Sequence, residues 1–87
     1  MNKTYQGDVS VATTIHAKTD LGATAKSGQV VNNGADELDV EFTLIGVSTG
    51  DITIPPGSKM VFPCDVSDVI IKPVGGKSAR YRVVAAT

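Results

Sequence analysis

The two side chains best suited to covalent or acid–base chemistry are a single histidine, His16, and a single cysteine, Cys64. Catalysis by His16 would require a nucleophile or a carboxylate at hydrogen-bond distance, and a Cys–His pair would make Cys64 a nucleophile. His16 falls on the polar side of an alternating segment, which favours a solvated or interface histidine. Cys64 lies between Pro63 and Asp65 in a turn, where we expect a partly buried structural thiol. These observations predict no catalytic residue, and we expect that the chain is not an enzyme.

Acidic residues cluster twice, but neither cluster has the spacing of a metal site. The members are Asp36, Glu37, Asp39 and Glu41 in one segment and Asp65 and Asp68 in another. Calcium loops follow an Asp-x-Asp-x-Asp-Gly pattern, and zinc sites need a Cys/His cluster; both are absent. The glycines form neither a G-x-G-x-x-G nor a Walker motif. We therefore expect no metal and no cofactor, with Asp36 and Asp65 bonding within their own turns and Asp39 and Glu41 on a solvated strand face.

Composition excludes several classes of partner. Eight basic and nine acidic residues give a net charge of −1, which provides no field to attract nucleic acid or an acidic membrane. The N-terminal segment has no apolar stretch typical of a signal peptide, and no segment is long and apolar enough to span a membrane. A single cysteine cannot form an internal disulfide, and 87 residues bury only a modest core. We therefore expect self-association or docking onto a partner to reinforce the fold.

Apolar residues alternate with polar ones in at least four segments. The clearest segment is Leu38–Leu44, where apolar side chains occupy every second position. Turn signals separate it from its neighbours, and no segment of ten or more residues has a helical period. This pattern predicts a single all-β domain over residues 1–87, a small antiparallel β-sandwich or flattened β-barrel of six to seven short strands, essentially without helix. The predicted core comprises Val9, Val11, Val30, Leu38, Val40, Phe42, Leu44, Ile52, Ile54, Met60, Phe62, Val69, Ile71, Tyr81 and Val83.

The N-terminal segment alternates for longer than one strand of so small a domain requires. Tyr5–Ala17 is either a strand that bends and crosses between two sheets or a strand preceded by an arm, so residues 1–17 are a candidate contact with a neighbour. A second candidate contact is a basic strip. Gly75-Gly76 predicts a tight hairpin that would bring Lys72 and Lys77 beside Arg80 and Arg82. The candidate interface residues are Tyr5, Gln6, Asp8, Val9, Arg80 and Arg82.

Five stretches resemble small structural proteins of tailed-bacteriophage virions. They are Val31–Ala35, with an Asn-x-Gly turn, Ile52–Ser58, with a Pro-Gly turn, Val69–Lys72, Gly75-Gly76 and Ala79–Ala85. Proteins of this group serve as capsid decoration (cement) proteins, head fibres, or connector and tail components.

The resemblance implies a non-enzymatic structural protein of a virion, most simply a decoration protein that binds the head surface. Its partners would be further copies of itself, as a homo-oligomer, and virion proteins such as the major capsid protein, with no nucleic acid, membrane or small-molecule substrate. It would be made in the host cytoplasm and located in the virion. Two alternatives stay open: a connector or tail component, and a free-standing adhesion or carbohydrate-binding β-sandwich module.

Overall fold

A computed structural model describes residues 1–87 and contains eight strands and one short helix. The elements in chain order are β1 (Asn2–Val9), β2 (Thr13–Ile15), α1 (Ala17–Leu21), β3 (Ser27–Asn32), β4 (Leu38–Thr43), β5 (Ile52–Ile54), β6 (Lys59–Val61), β7 (Asp68–Pro73) and β8 (Ala79–Ala86).

The strands form two antiparallel sheets of four strands each. Sheet I has the order β1-β8-β3-β6, and sheet II has the order β2-β7-β4-β5. The two sheets enclose one hydrophobic cluster of 18 buried residues. The prediction of a small all-β sandwich is therefore confirmed, but the strands number eight and not six to seven, because the N-terminal segment forms two strands.

Period-two alternation places the core. β4 buries Leu38, Val40 and Phe42 completely, while the residues between them are half-buried on the outer face. The Phe42 and Phe62 rings meet edge to face with centroids 5.2 Å apart. Because the pleat sends successive side chains to opposite faces, each sheet contributes one apolar layer to the core.

Four residues of the predicted core differ from the prediction. Val11 is 70% exposed, because it lies in the connection between β1 and β2 and on no strand. Leu44, Ile52 and Met60 are only partly buried and pack against the rim of the core. The buried apolar residues that the prediction omitted are Ile15, Ala17, Leu21, Ala25, Val66, Ala79 and Ala85.

Helix α1 was not predicted, because five residues are too few for a helical period to be visible. Gly22 ends it in the left-handed conformation, at φ 80°, and its N–H donates to the carbonyl oxygen of Lys18. This is the usual way for a glycine to end a helix. The helix buries Ala17 and Leu21 against the core.

The Gly75-Gly76 segment does not form the predicted hairpin. Both glycines have positive φ, so the turn chemistry is as expected, but β7 pairs with β2 and β4 in sheet II while β8 pairs with β1 and β3 in sheet I. The connection crosses from one sheet to the other. The predicted basic strip is therefore wrong, since Lys72 lies on a different sheet from Arg80 and Arg82.

Residues 1–17 contain two strands, one in each sheet. β1 pairs with β8 of the same chain along its whole length, from Asn2 opposite Ala86 to Val9 opposite Ala79. β2 then pairs with β7 in sheet II. Of the two alternatives left by the sequence, the bent segment that crosses between sheets describes this geometry. β1 remains an edge strand, because it has a neighbour on one side only.

Candidate interaction surfaces

The outer face of sheet I carries most of the predicted interface residues. One row of side chains crosses all four strands of this sheet. It consists of Gln6 on β1, Arg82 on β8, Val31 on β3 and Lys59 on β6, each opposite the next. A second row runs through Thr4, Val84, Gln29 and Val61. Gln6, Arg82 and Lys59 are exposed, and Val61 is 65% exposed. The face therefore mixes apolar, polar and basic side chains.

Asp8 and Arg80 are neighbours on this face, as cross-strand partners of β1 and β8. The Arg80 Nε donates to Asp8 Oδ1 at 3.0 Å, and both side chains are more than 60% exposed. Such an exposed pair stabilises little. Its consequence for the surface is that Arg80 is neutralised locally, whereas Arg82 and Lys59 have no carboxylate within 4.0 Å.

Tyr5 and Val9, also predicted at the interface, point the other way. Val9 is 8% exposed and belongs to the core. The Tyr5 hydroxyl donates to Asp20 Oδ2 at 2.6 Å and so ties β1 to α1. Partial burial, with that hydrogen bond, raises the pKa of Tyr5 above its usual value, and the same bond lowers the pKa of Asp20. Lys3 lies 5.3 Å from the centre of the Tyr5 ring and completes this cluster.

The outer face of sheet II is acidic and is organised around Lys72. The Lys72 Nζ donates to Glu41 Oε1 at 2.8 Å and to Asp51 Oδ1 at 2.6 Å. The hydrogen bond to Asp51 and that to Glu41 raise the pKa of Lys72, and the hydrogen bonds from Lys72 and Ser48 lower the pKa of Glu41. Asp39 and Asp68 lie on the same face and have no Lys or Arg partner. The sequence indicated a solvated acidic face here, but the ion network depends on β7, which is remote in sequence.

The two residues best suited to chemistry lie in different segments, and a carboxylate is at hydrogen-bond distance from the histidine. The His16 Nδ1 lies 3.0 Å from Asp68 Oδ1, with the histidine side chain 64% exposed. Cys64 is exposed, which corrects the expectation of a partly buried thiol. It lies in the irregular segment before β7, beside Asp65, whose φ is 59°. The hydrogen bonds from Lys26 and Thr24 hold the pKa of Asp65 below its usual value.

A shallow polar cleft opens at one end of the sandwich, beside the Asp8–Arg80 pair. It encloses about 460 Å³, and its lining residues are Asp8, Asn33, Gly34, Ala35, Asp36, Ser78 and Arg80. Asp36 is held by Lys77, whose Nζ lies 3.4 Å from its Oδ1. The cleft has carboxylate, amide, hydroxyl and guanidinium groups but no aromatic platform. No local sequence pattern indicates this cleft, because the turn after β3 and the start of β8 meet only in the fold.

Comparison with known proteins identifies the fold. No protein-family model and no curated protein matches the chain. Among solved structures, FeII HppE in complex with substrate matches 97% of this chain with a TM-score of 0.64 and 14% identity, over 46% of that chain. The hydroxypropylphosphonic acid epoxidase from S. wedmorenis in complex with fosfomycin matches 94% with a TM-score of 0.62 and 15% identity, over 42% of that chain. The plu4264 protein from Photorhabdus luminescens matches 99% with a TM-score of 0.65 and 7% identity, over 62% of that chain.

These structures share the fold of this chain, and the chain spans less than half the length of the epoxidase. The prediction that the chain is not an enzyme is corrected by this comparison, since an epoxidase carries the same sandwich. The physical reason is that chemistry depends on a few side chains placed on a sandwich and not on the sandwich itself. A small all-β fold therefore gives no ground for excluding catalysis.

The donor set of this chain does not fit an iron or cobalt ion of the kind named for HppE. The inward-facing side chains are apolar, and the one buried polar residue, Asn32, already uses its side chain in hydrogen bonds to backbone groups. No three His, Cys, Asp or Glu side chains converge anywhere in the fold. No helix has the length and apolar character needed to cross a membrane.

Proposed function

We propose that this chain is a structural component of a tailed-phage virion, where it decorates the head surface. The observation that carries the proposal is an apolar tip at one connection of the sandwich. Ile45 and Val47 lie two residues apart in the connection between β4 and β5, and they are 78% and 61% exposed. Contiguous exposed apolar surface marks contact sites, whereas exposed apolar side chains scattered singly are ordinary.

The surroundings of this tip support a contact role. The Leu44 N–H donates to the Val47 carbonyl oxygen at 2.7 Å, and the Thr49 N–H donates to the Phe42 carbonyl oxygen at 3.0 Å. The tip is therefore a closed turn and not a loose loop. A pre-ordered contact loses little conformational entropy on binding. The sequence resemblance to virion proteins supplies the class of partner, a capsid surface formed by the major capsid protein.

Mass spectrometry of purified particles tests this proposal. A decoration protein would be present in hundreds of copies per particle, and a connector or tail component in about a dozen. Absence from the particles would contradict the virion assignment.

A variant pair tests the role of the tip. Ile45→Ser with Val47→Ser should abolish retention of the protein on particles, because the apolar contact area is removed. Val11→Ser is the matched control, since Val11 is 70% exposed but isolated in another connection. Equal retention of both variants would exclude the tip as the contact.

A second candidate function is carbohydrate binding by an adhesion module. The polar cleft beside Asp8 and Arg80 favours it, because its carboxylate, amide and hydroxyl groups match sugar hydroxyls. Glycan-array binding that Asp36→Ala and Arg80→Ala abolish would support this function in place of the first.

A further inference from the structure

The charges of this chain are separated between its two outer faces. The outer face of sheet I has three basic side chains, Lys59, Arg80 and Arg82, and one acidic side chain, Asp8. The outer face of sheet II has Lys72 as its only Lys or Arg, against four acidic side chains, Asp39, Glu41, Asp51 and Asp68. One face is therefore net positive and the opposite face net negative.

The remaining charged side chains cancel. Four basic residues and four acidic residues lie off the two faces: Lys3, Lys18, Lys26 and Lys77, and Asp20, Asp36, Glu37 and Asp65. Although the overall charge is only −1, positive charge is therefore in excess on the outer face of sheet I and negative charge on that of sheet II.

We propose that the outer face of sheet I binds the outer face of sheet II of a second copy, so that copies stack head to tail. Arg82 and Lys59, which have no carboxylate partner on sheet I, would form ion pairs with carboxylates of sheet II that have no Lys or Arg partner, such as Asp39. Two copies that met through the same face would instead place like charges opposite each other, which is unfavourable. A contact between different faces leaves one unused face on the copy at each end of the stack. Further copies can therefore add, and assembly continues beyond the dimer.

The apolar content and size of the faces allow a weak, specific contact. Val31, Val84 and Val61 lie outward on sheet I, and Ile70 lies outward and half-buried on sheet II. Four strands cover a face of roughly 15–20 Å by 25 Å, so a stacked pair would bury on the order of 1,000 Å² in total. This area is at the lower limit for stable complexes, and stacking should therefore appear at high protein concentration.

The inference goes beyond the virion proposal and does not depend on it. It concerns the isolated chain in solution, whereas the virion proposal concerns the Ile45–Val47 tip and particles. Failure of stacking would leave the particle experiment unaffected, and the reverse also holds.

Sedimentation velocity of the full chain, from about 10 µM to 1 mM at low salt, tests the inference. The wild-type protein should show species larger than a dimer as concentration rises. Arg82→Glu on sheet I and Thr53→Lys on sheet II should each weaken association about tenfold. Lys18→Glu and Ser10→Lys are matched controls, because they make the same charge changes at exposed residues outside the strands of both sheets; they should associate like wild type.

Several results would overturn stacking. One is a wild-type protein that stays monomeric at about 1 mM, and another is association that stops at the dimer and is insensitive to Thr53→Lys. A third is equal weakening by the two controls, which would indicate a general charge effect. If Arg82→Glu lowers the melting temperature, Gln6→Glu, at the neighbouring exposed residue of the same row, provides the equivalent sheet I test.

Discussion

The side-chain amide of Asn32 donates to the carbonyl oxygen of Ile54 at 2.8 Å and thereby joins the end of β3 in sheet I to β5 in sheet II. The same nitrogen donates to the Asp36 carbonyl oxygen at 2.8 Å, and the Asn32 Oδ1 accepts from the Gly34 N–H at 3.1 Å. Asn32 is the one fully buried polar side chain, and it satisfies three backbone groups of the turn and the facing sheet.

Asn32→Ala should therefore destabilise the fold by about 3 kcal/mol, because it leaves buried carbonyl and N–H groups without partners. Asn32→Asp should also be destabilising, since a carboxylate cannot donate to the two carbonyl oxygens. Urea unfolding measures both. The neighbouring Asn33→Ala is the control, because Asn33 is exposed; similar losses at the two asparagines would contradict this role for Asn32.

Gly28 lies where β3 passes under the Phe62 ring. A Cβ at Gly28 would lie 2.2 Å from the Val84 carbonyl oxygen and 2.9 Å from Phe62 Cδ2, and the φ of 156° is one that glycine adopts more readily than other residues. Gly28→Ala should cost about 3 kcal/mol through overpacking. Gly7→Ala, in the same sheet, has 3.8 Å to its nearest neighbour and should be close to neutral in a thermal melt. An unaffected Gly28→Ala variant would show that β3 has room to move away from β8 and from the Phe62 ring.

Phe42 is the largest fully buried side chain and contacts Phe62 edge to face. Phe42→Ala should lower the free energy of unfolding by about 3–5 kcal/mol, because it removes the aromatic contact and leaves a cavity. For Val11→Ala, at a residue that is 70% exposed, we expect less than about 0.5 kcal/mol. Equal effects of the two substitutions in urea unfolding would contradict the placement of the core.

The Lys72–Glu41 contact predicts a loss of stability in acid. Hydrogen bonds from Lys72 and Ser48 lower the pKa of Glu41 in the folded state. Because the folded pKa is below the unfolded one, the contribution of Glu41 is present above the unfolded pKa and is lost as pH falls through the folded pKa. Glu41→Gln should thus be less stable than wild type at neutral pH, and the difference should close in acid, once the pH is below the folded pKa of Glu41.

Urea unfolding at both pH values provides this measurement. Glu37→Gln is the control, because Glu37 is exposed and has no ion pair; it should follow wild type at both pH values. A gap between Glu41→Gln and wild type that is the same in acid and at neutral pH would exclude the ionised carboxylate as its cause.

The alternating sequence predicts which face of a strand is buried, but not which sheet the strand joins. Leu38, Val40 and Phe42 were assigned to the core correctly, because period two depends only on the local backbone. Lys72 and Arg80 were expected side by side, yet they lie on opposite faces of the sandwich. A Gly-Gly turn is compatible with a hairpin within one sheet and with a connection that crosses between two sheets. The long-range pairing of the strands decides which of the two forms.

For the candidate surfaces too, local alternation predicts which side chains are exposed, but not the contacts between segments that are distant in sequence. The exposure of Gln6, Asp8 and Arg82 follows from alternation, and these predicted interface residues do share one face. Val9 was placed both in the core and at the interface, and the core placement is the observed one. The acidic network around Lys72 and the buried bonds of Asn32 join segments that are far apart in sequence, so no local pattern indicates them.

Assembly of this small sandwich through oppositely charged faces would make its self-association depend on salt, because salt screens charges exposed at such a contact. Static light scattering of the wild-type protein at about 1 mM should give a weight-average mass above that of a dimer at about 20 mM NaCl. The mass should fall towards that of the monomer at about 500 mM NaCl, where the Debye length is only a few ångströms. A mass that stays at the monomer value at low salt, or one that rises with added salt, would exclude association through oppositely charged faces.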